Sequence, residues 1–225
     1  MSHLLDNPAW AALTTGNQNL SNGSHTAKFF SSKVSPFAAI SEPDQSLQEL
    51  YDVVPFKNPI GIFTNRNSIN PYPWKLINKI DGYQLLYCND AEIPVINSKI
   101  VKLNEHHVAE MLELTRITNP GPFLPETISF GNYEGILVEG KLVSMAGNRF
   151  HSDKYVEISA VCTHPDYLGR EYARDLLNSQ IDMIQKRGEI PYLHVRADNK
   201  RALEIYLSMG FKIRSEMIIY ILSKE

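Results

Sequence analysis

The chain has 225 residues, of which 43% are hydrophobic and 21% charged, the composition of an ordinary globular protein with enough apolar mass for a sizeable core. That length leaves one large domain or two small ones equally open. A formal charge of −3 supplies no broad basic surface, which argues against nucleic acid as the main partner but leaves room for a local basic cluster around a phosphate-rich small molecule.

The N-terminal half opens with NPAWAALTTG, where Asn7 and Pro8 signal a helix start, since proline is tolerated in a first helical turn. Ser21 to Ser35 is rich in Ser, Asn and Gly and reads as loop. A short helix is expected over Ser46 to Tyr51, with strands over Gly61 to Phe63 and Tyr83 to Cys88. Between them, Asn65 to Trp74 carries several Asn and two Pro and is expected to turn repeatedly.

A boundary near Asn97 divides this half from a more regular one, giving expected domains over 1–97 and 98–225. Asn104 can cap a helix running to about Ile117, with Val108, Met111, Leu112 and Thr115 on one face. NPGPFLP then breaks the chain. Tyr133 to Val138 and Lys141 to Arg149 read as strands joined by a Glu139-Gly140 hairpin turn, and Val156, Ile158, Ala160 and Cys162 alternate as in a strand. Ala173, Leu176, Leu177, Ile181 and Ile184 form a helical apolar stripe ending at Gly188. Tyr192 to Val195 is a strand, Ala202, Ile205, Tyr206 and Met209 stripe a last helix, and Lys212 to Leu222 returns as one or two strands. This order predicts a mixed, twisted α/β sheet with helices on both faces.

The most telling stretch is a strand feeding a Gly- and Arg-bearing loop and a helix. Such a helix N-terminus presents unpaired N–H groups and a positive dipole end, a ready site for a phosphate ester. HPDYLGREYARDLL resembles the coenzyme A pyrophosphate loop of the GNAT superfamily of N-acetyltransferases, whose usual form is Arg/Gln-x-x-Gly-x-Gly/Ala. ADNKRALEIYLSMGF resembles the second signature of that superfamily: an Asn, an Ala three residues on, a Tyr four beyond, then Gly-Phe. The resemblance runs from about Ile100 to the C-terminus. The N-terminal half resembles a degenerate copy of the same fold, as in a branch akin to glycine N-acyltransferases, whose opening NPAWAALTTG resembles.

The resemblance implies acetyl-CoA as cosubstrate, with a pyrophosphate loop of Leu168, Gly169, Arg170, Glu171, Tyr172 and Ala173. Leu168 stands where Arg or Gln is usual and Glu171 where Gly is usual. Glu171 either places a negative charge near the phosphates or faces solvent as a first-turn acid favourable to the helix dipole. By the same resemblance Val161, Cys162 and Thr163 offer backbone groups to the acetyl-pantetheine arm, with one N–H polarising the thioester carbonyl; otherwise they are plain strand-end residues. Asn199 and Ala202 begin the last helix, where Asn199 can cap it or hold the pantetheine.

Two residues are candidates for proton transfer. Tyr206 can protonate the departing thiolate, or belong simply to the helix's apolar stripe. Glu157 can serve as base, directly or through water, or be an exposed strand acid. An amine of lysine-like pKa is only about one part in 2,500 neutral at pH 7, so acyl transfer benefits from a proton acceptor.

The reading is thus an N-acetyltransferase moving acetyl from acetyl-CoA to a primary amine by direct attack, the acceptor and the oligomeric state both left open. A catalytically decayed acyl-CoA-binding or regulatory module is the alternative that Leu168 and Glu171 suggest. His106 and His107 diverge on a helix and His151 and His194 are isolated, so no metal is expected. Cys88 and Cys162 sit in apolar runs and read as buried, reduced thiols. No stretch approaches the ~20 apolar residues of a membrane span, and the start lacks the basic and continuous apolar regions of a secretion signal, so a cytoplasmic protein without membrane contact is expected.

Overall fold

The computed structural model describes residues 3–42, 47–89 and 92–224. Helix α1 (Pro8–Thr14) starts where Asn7 and Pro8 predict, with the Asn7 side chain accepting from the Trp10 N–H. Strands β1 (Ser21–Gly23), β2 (Ala27–Phe30) and β3 (Ala38–Ile40) then form a small antiparallel sheet. This corrects the expectation of loop over Ser21 to Ser35. The Ser/Asn/Gly residues supply a hairpin turn, while Ala27, Phe29 and Phe30 are buried and hold the strand in place.

Helix α2 (Gln48–Val53) lies where a short helix was expected, although Ser46 falls outside the described residues. Strands β4 (Ile60–Thr64) and β5 (Lys75–Tyr87) follow, the second much longer than its apolar part suggests. Beyond Asn97 come β6 (Ile100–Lys102), α3 (Val108–Thr118), β7 (Glu134–Val138), β8 (Lys141–Ser152), β9 (Tyr155–Thr163), α4 (Tyr172–Lys186), β10 (Ile190–Arg196), α5 (Lys200–Ser208) and β11 (Phe211–Ser223).

These strands make one eight-stranded mixed sheet in the order β4-β11-β5-β10-β9-β8-β7-β6. Residues on both sides of Asn97 build it: β5 sits between β11 and β10, antiparallel to each. The sheet is therefore continuous across the expected 1–97/98–225 boundary, because β5 supplies hydrogen-bonding partners that two C-terminal strands would otherwise lack. Its two faces bury separate cores. Met111 and Leu114 of α3, with Leu5, Ala9, Ala12 and Leu13 at the N-terminus, pack with Met145, Phe150 and Tyr192. Leu177, Ile181 and Ile184 of α4 pack on the other face with Val156, Ile158 and Leu193. Successive residues such as Tyr192 and Leu193 belong to opposite cores, as strand periodicity requires.

One junction positions the site. Strands β9 and β10 are parallel, joined by the α4 crossover, and they pair only over Ile190↔Tyr155, Pro191↔Val156 and Tyr192↔Glu157. Past that point each strand keeps only its outer neighbour, β8 for β9 and β5 for β10, so the sheet opens into a wedge.

Candidate active site

The wedge between β9 and β10 leads into a cavity of about 520 Å³. Its β9 wall is irregular. Ser159 pairs with Gly147 and Cys162 with Met145, so one more residue lies on β9 than on β8, and Ala160 takes the left-handed conformation at φ 54°. A bulge of this kind bends the strand and re-aims its backbone groups. Alanine pays roughly 1–2 kcal/mol for that conformation, a cost tolerated where the surrounding pairing fixes it. Ser144 ties the strand end down, donating to the Cys162 carbonyl at 2.9 Å and meeting the Thr163 hydroxyl at 2.8 Å.

Below the cavity mouth, the loop after β9 runs through a short helical turn at Pro165–Tyr167, capped by His164, into α4. Gly169 (φ 77°) and Glu171 (φ 60°) are both left-handed, and the main-chain N–H groups from Gly169 through Arg174 have no protein acceptor among the described residues. Alternation of this sort gathers N–H groups into an anion-binding concavity at a helix N-terminus. Apart from its own chain neighbours, no described residue lies within 4 Å of where a Gly169 side chain would begin, so the space above the loop is open.

The Glu171 carboxylate is turned aside. It pairs with Arg174 at 2.8 Å and is 68% exposed. In water-like surroundings, a unit charge about 6 Å from a phosphate costs only ~0.7 kcal/mol, so the acid weakens anion binding about threefold. The prediction is that Glu171→Gly, which removes both the charge and a non-glycine residue from the left-handed region, tightens coenzyme A binding about threefold in a low-salt titration. The same change raises the melting temperature slightly, and added salt erases the affinity gain.

Of the residues expected at the cofactor, Val161, Cys162, Thr163, Leu168, Ala173, Asn199 and Ala202 line the cavity, as does Tyr206. Gly169, Arg170, Glu171 and Tyr172 form the loop beside it, with Arg170 lying over the Tyr167 ring at 5.1 Å. Asn199 caps α5 by accepting the Ala202 N–H at 3.2 Å. No residue of α5 is fully buried, because its apolar stripe of Ala202, Ile205 and Tyr206 fronts the cavity. Burial pushes the Tyr206 phenol up to about 12, so it stays protonated at neutral pH. Burial likewise pushes the Cys162 thiol up to about 12, leaving it inert, whereas Cys88 is exposed, contrary to expectation.

Glu157 is the main correction. It is neither an exposed strand acid nor a cavity-lining base, being 1% exposed and engaged on both oxygens. Arg149 donates to it through Nε at 2.9 Å and Nη2 at 2.5 Å, and His194 through Nδ1 at 2.7 Å. Burial alone would raise its pKa, but the Arg149 charge and these donors bring it down to about 2. A carboxylate so acidic and so fully bonded is a poor proton acceptor.

His194, far from isolated, is the centre of a buried chain. Its Nε2 lies 2.9 Å from the Gln84 amide nitrogen, which also donates to the Leu5 carbonyl at 3.0 Å, while the Gln84 oxygen accepts from Arg214. An amide nitrogen only donates, so His194 Nε2 must accept and the ring proton sits on Nδ1, facing Glu157. Burial holds the His194 pKa below its usual value despite Glu157, consistent with a neutral ring. Arg214 closes the chain on Asp6 at 2.7 Å.

Sequence reasoning did not anticipate Arg149, Gln84 or the wall of Phe37, Phe63, Ile80, Met217 and Ile219 that the N-terminal half and β11 bring to the cavity. The available signal was the arginine that follows the apolar run over residues 142–147 of β8.

With this geometry in view, likeness to known proteins is informative. Residues 133–219 match the family model described as FR47-like protein. N-alpha-acetyltransferase RimI of Mycobacterium tuberculosis is 31% identical over 129 residues, spanning 53% of this chain and 79% of that protein. A GNAT-family protein from Novosphingobium aromaticivorans is 30% identical, with a TM-score of 0.90 and both chains covered in full. A GCN5-related N-acetyltransferase-like protein from Streptococcus suis shares the fold at 17% identity, with a TM-score of 0.64 and 97% and 95% of the two chains covered. The chain belongs to the GNAT superfamily of N-acetyltransferases and is an acyltransferase of that fold.

Proposed function

We propose that the protein transfers the acetyl group of acetyl-CoA to a primary amine, with the two substrates meeting at the β9–β10 wedge. The observation that carries this is the coincidence of the wedge with a run of N–H groups, Gly169 to Arg174, that have no acceptor among the described residues at the start of α4. These donors suit a pyrophosphate, and the half-buried stripe of α5 suits a pantetheine arm. Acetyl-CoA, when bound, supplies an activated acyl carbon on a good leaving group.

The chain's own residues divide the remaining work. Backbone groups at the Ala160 bulge and at Val161 to Thr163 orient the carbonyl and donate to its oxygen as charge develops there. Tyr206, protonated and fronting the cavity, gives its proton to the departing thiolate sulfur. The Arg149–Glu157–His194 cluster braces the wedge at its vertex and does not take the amine proton, which leaves through water toward the cavity mouth, where Asp81 stands. Residues 98–225 hold the thioester carrier, and residues 1–97 contribute Phe37, Phe63 and Ile80 to the acceptor's wall.

Calorimetric titration with coenzyme A, alongside thiol release from acetyl-CoA over a panel of amines, tests the reading. Micromolar uptake with amine-dependent thiol release is expected. Uptake without release on any amine would instead identify a binding module, and no uptake at millimolar coenzyme A would remove the assignment.

A further inference from the structure

The acceptor end of the cavity holds a cation with unused donors. Arg149 is 13% exposed and lines the cavity. Glu157 takes its Nε proton and one Nη2 proton, while both Nη1 protons and the second Nη2 proton have no protein partner among the described residues. A guanidinium presents its donors as a rigid planar fork, and the free Nη1–Nη2 edge matches a carboxylate bidentately. The group is also held still. Its central carbon lies 4.9 Å from the Phe37 ring centre, 5.4 Å from Phe63 and 4.9 Å from Phe150.

What reaches that edge must be the end of a molecule. Phe37, Phe63 and Met217 are each 3% exposed or less, and Phe37 bridges Gly61 of β4, so the wall behind them is packed protein. A polypeptide has no way onward from there. A terminal carboxylate ends where the cavity ends, and Arg149 then bridges it and Glu157, each carboxylate meeting its own edge of the fork.

Spacing narrows the class further. Arg149 is anchored at Glu157, four residues before Val161 on β9; the bulge at Ala160 takes up one of these, leaving about three strand steps, roughly 10 Å at about 3.3 Å per residue. Allowing about 3 Å at each end for the ligand contacts leaves about 4–5 Å between amine and carboxylate, the span of two or three methylenes. The intervening wall of Phe37, Phe63, Ile80, Met217 and Ile219 is apolar, as a methylene chain requires.

Resting on the acyl-transfer reading above, we propose that the acceptor is a small amino carboxylic acid whose amine and terminal carboxylate are separated by a short apolar spacer, with the free edge of Arg149 binding the carboxylate. In the reaction the amine nitrogen bonds to the acyl carbon, the carbon–sulfur bond breaks, and the amine loses one proton while the sulfur gains one.

The test measures kcat/KM with acetyl-CoA for straight-chain ω-amino acids of one to six methylenes, their carboxamides, and alkylamines of matched length. The expected result is an optimum at two or three methylenes, with the acid at least 100-fold better than the matching alkylamine. In Arg149→Lys that preference falls at least tenfold while the Kd for coenzyme A is unchanged. Should Arg149→Lys fail to fold, the wild-type comparison of acid, amide and alkylamine decides alone. Equal use of acid and alkylamine, preference for the amide, or no turnover of any acid by an enzyme that binds coenzyme A and acetylates other amines would overturn the proposal. Failure to bind coenzyme A at all is a separate outcome: it withdraws the acyl-transfer reading, and this proposal with it.

Discussion

Replacing Tyr206 with phenylalanine is expected to lower kcat about 100-fold while changing the Kd for coenzyme A less than twofold. A positioned general acid contributes typically about 10²–10⁴ in rate. The lower end applies here, because a thiolate is a good leaving group and water at the cavity mouth partly replaces the phenol. The variant should fold normally. The Tyr206 hydroxyl has no protein partner among the described residues, so its removal strands no donor, and the phenyl ring keeps its contact with Phe211, 6.0 Å away. A further consequence concerns pH. With the phenol pushed up to about 12, Tyr206 remains a proton donor well past neutrality, so a fall in rate between pH 8 and 10 cannot be its titration. Steady-state kinetics with saturating acetyl-CoA, together with calorimetry on the same preparations, separates the roles. A phenylalanine variant with wild-type kcat would reduce Tyr206 to a wall residue.

The parts of this site that sequence displays are those built from local chain geometry. A loop that must expose consecutive N–H groups needs left-handed positions, and Gly169 marks one; a helix that fronts a cavity needs a cap and an apolar stripe, and Asn199, Ala202 and Tyr206 mark those. Both motifs lie within short windows, so the resemblance to the GNAT signatures picks them out and periodicity adds the apolar stripe. The cluster at the vertex is different in kind. Arg149, Glu157, His194, Gln84, Arg214 and Asp6 come from separate strands and the N-terminal segment, and nothing local distinguishes Glu157 from a solvated strand acid. Its burial follows from β10 and β5 closing beside β9, and β5 is placed there by a crossover that alternation of residues does not encode. The same reason explains why a boundary near Asn97 reads plausibly in sequence while the sheet runs straight through it. Short strands such as β3 and β6 escape for a simpler reason, since three residues carry too little periodicity to register.

Glu157→Gln is expected to be the most damaging single change to stability. The amide keeps the shape but turns one acceptor into a donor, and every contact it replaces comes from a donor: Arg149 at two nitrogens and His194 at Nδ1. It also leaves the Arg149 charge buried without its counterion. Breaking a buried pair in this way costs roughly 3–5 kcal/mol, and at this chain length each kilocalorie lowers the melting temperature by about 2–4 °C, so a loss of about 10 °C is expected. The pH dependence carries the sharper signature. Glu157 titrates near 4.5 when unfolded and is held to about 2 when folded, so it contributes about 3 kcal/mol above pH 4.5 that disappears as the pH falls through that window. His194, held below its ordinary value of 6.5, adds a loss in the same direction that begins as the pH drops past 6.5, because the unfolded chain takes up that proton first. Denaturant melts of the wild type from pH 8 to 3 should therefore show stability falling in two stages. In Glu157→Gln the lower stage should shrink by about 2 kcal/mol over this range, since the pH stops short of the folded value. If the variant melts like the wild type and keeps the full acid slope, the carboxylate is solvated in solution and the vertex of the wedge is held by packing alone.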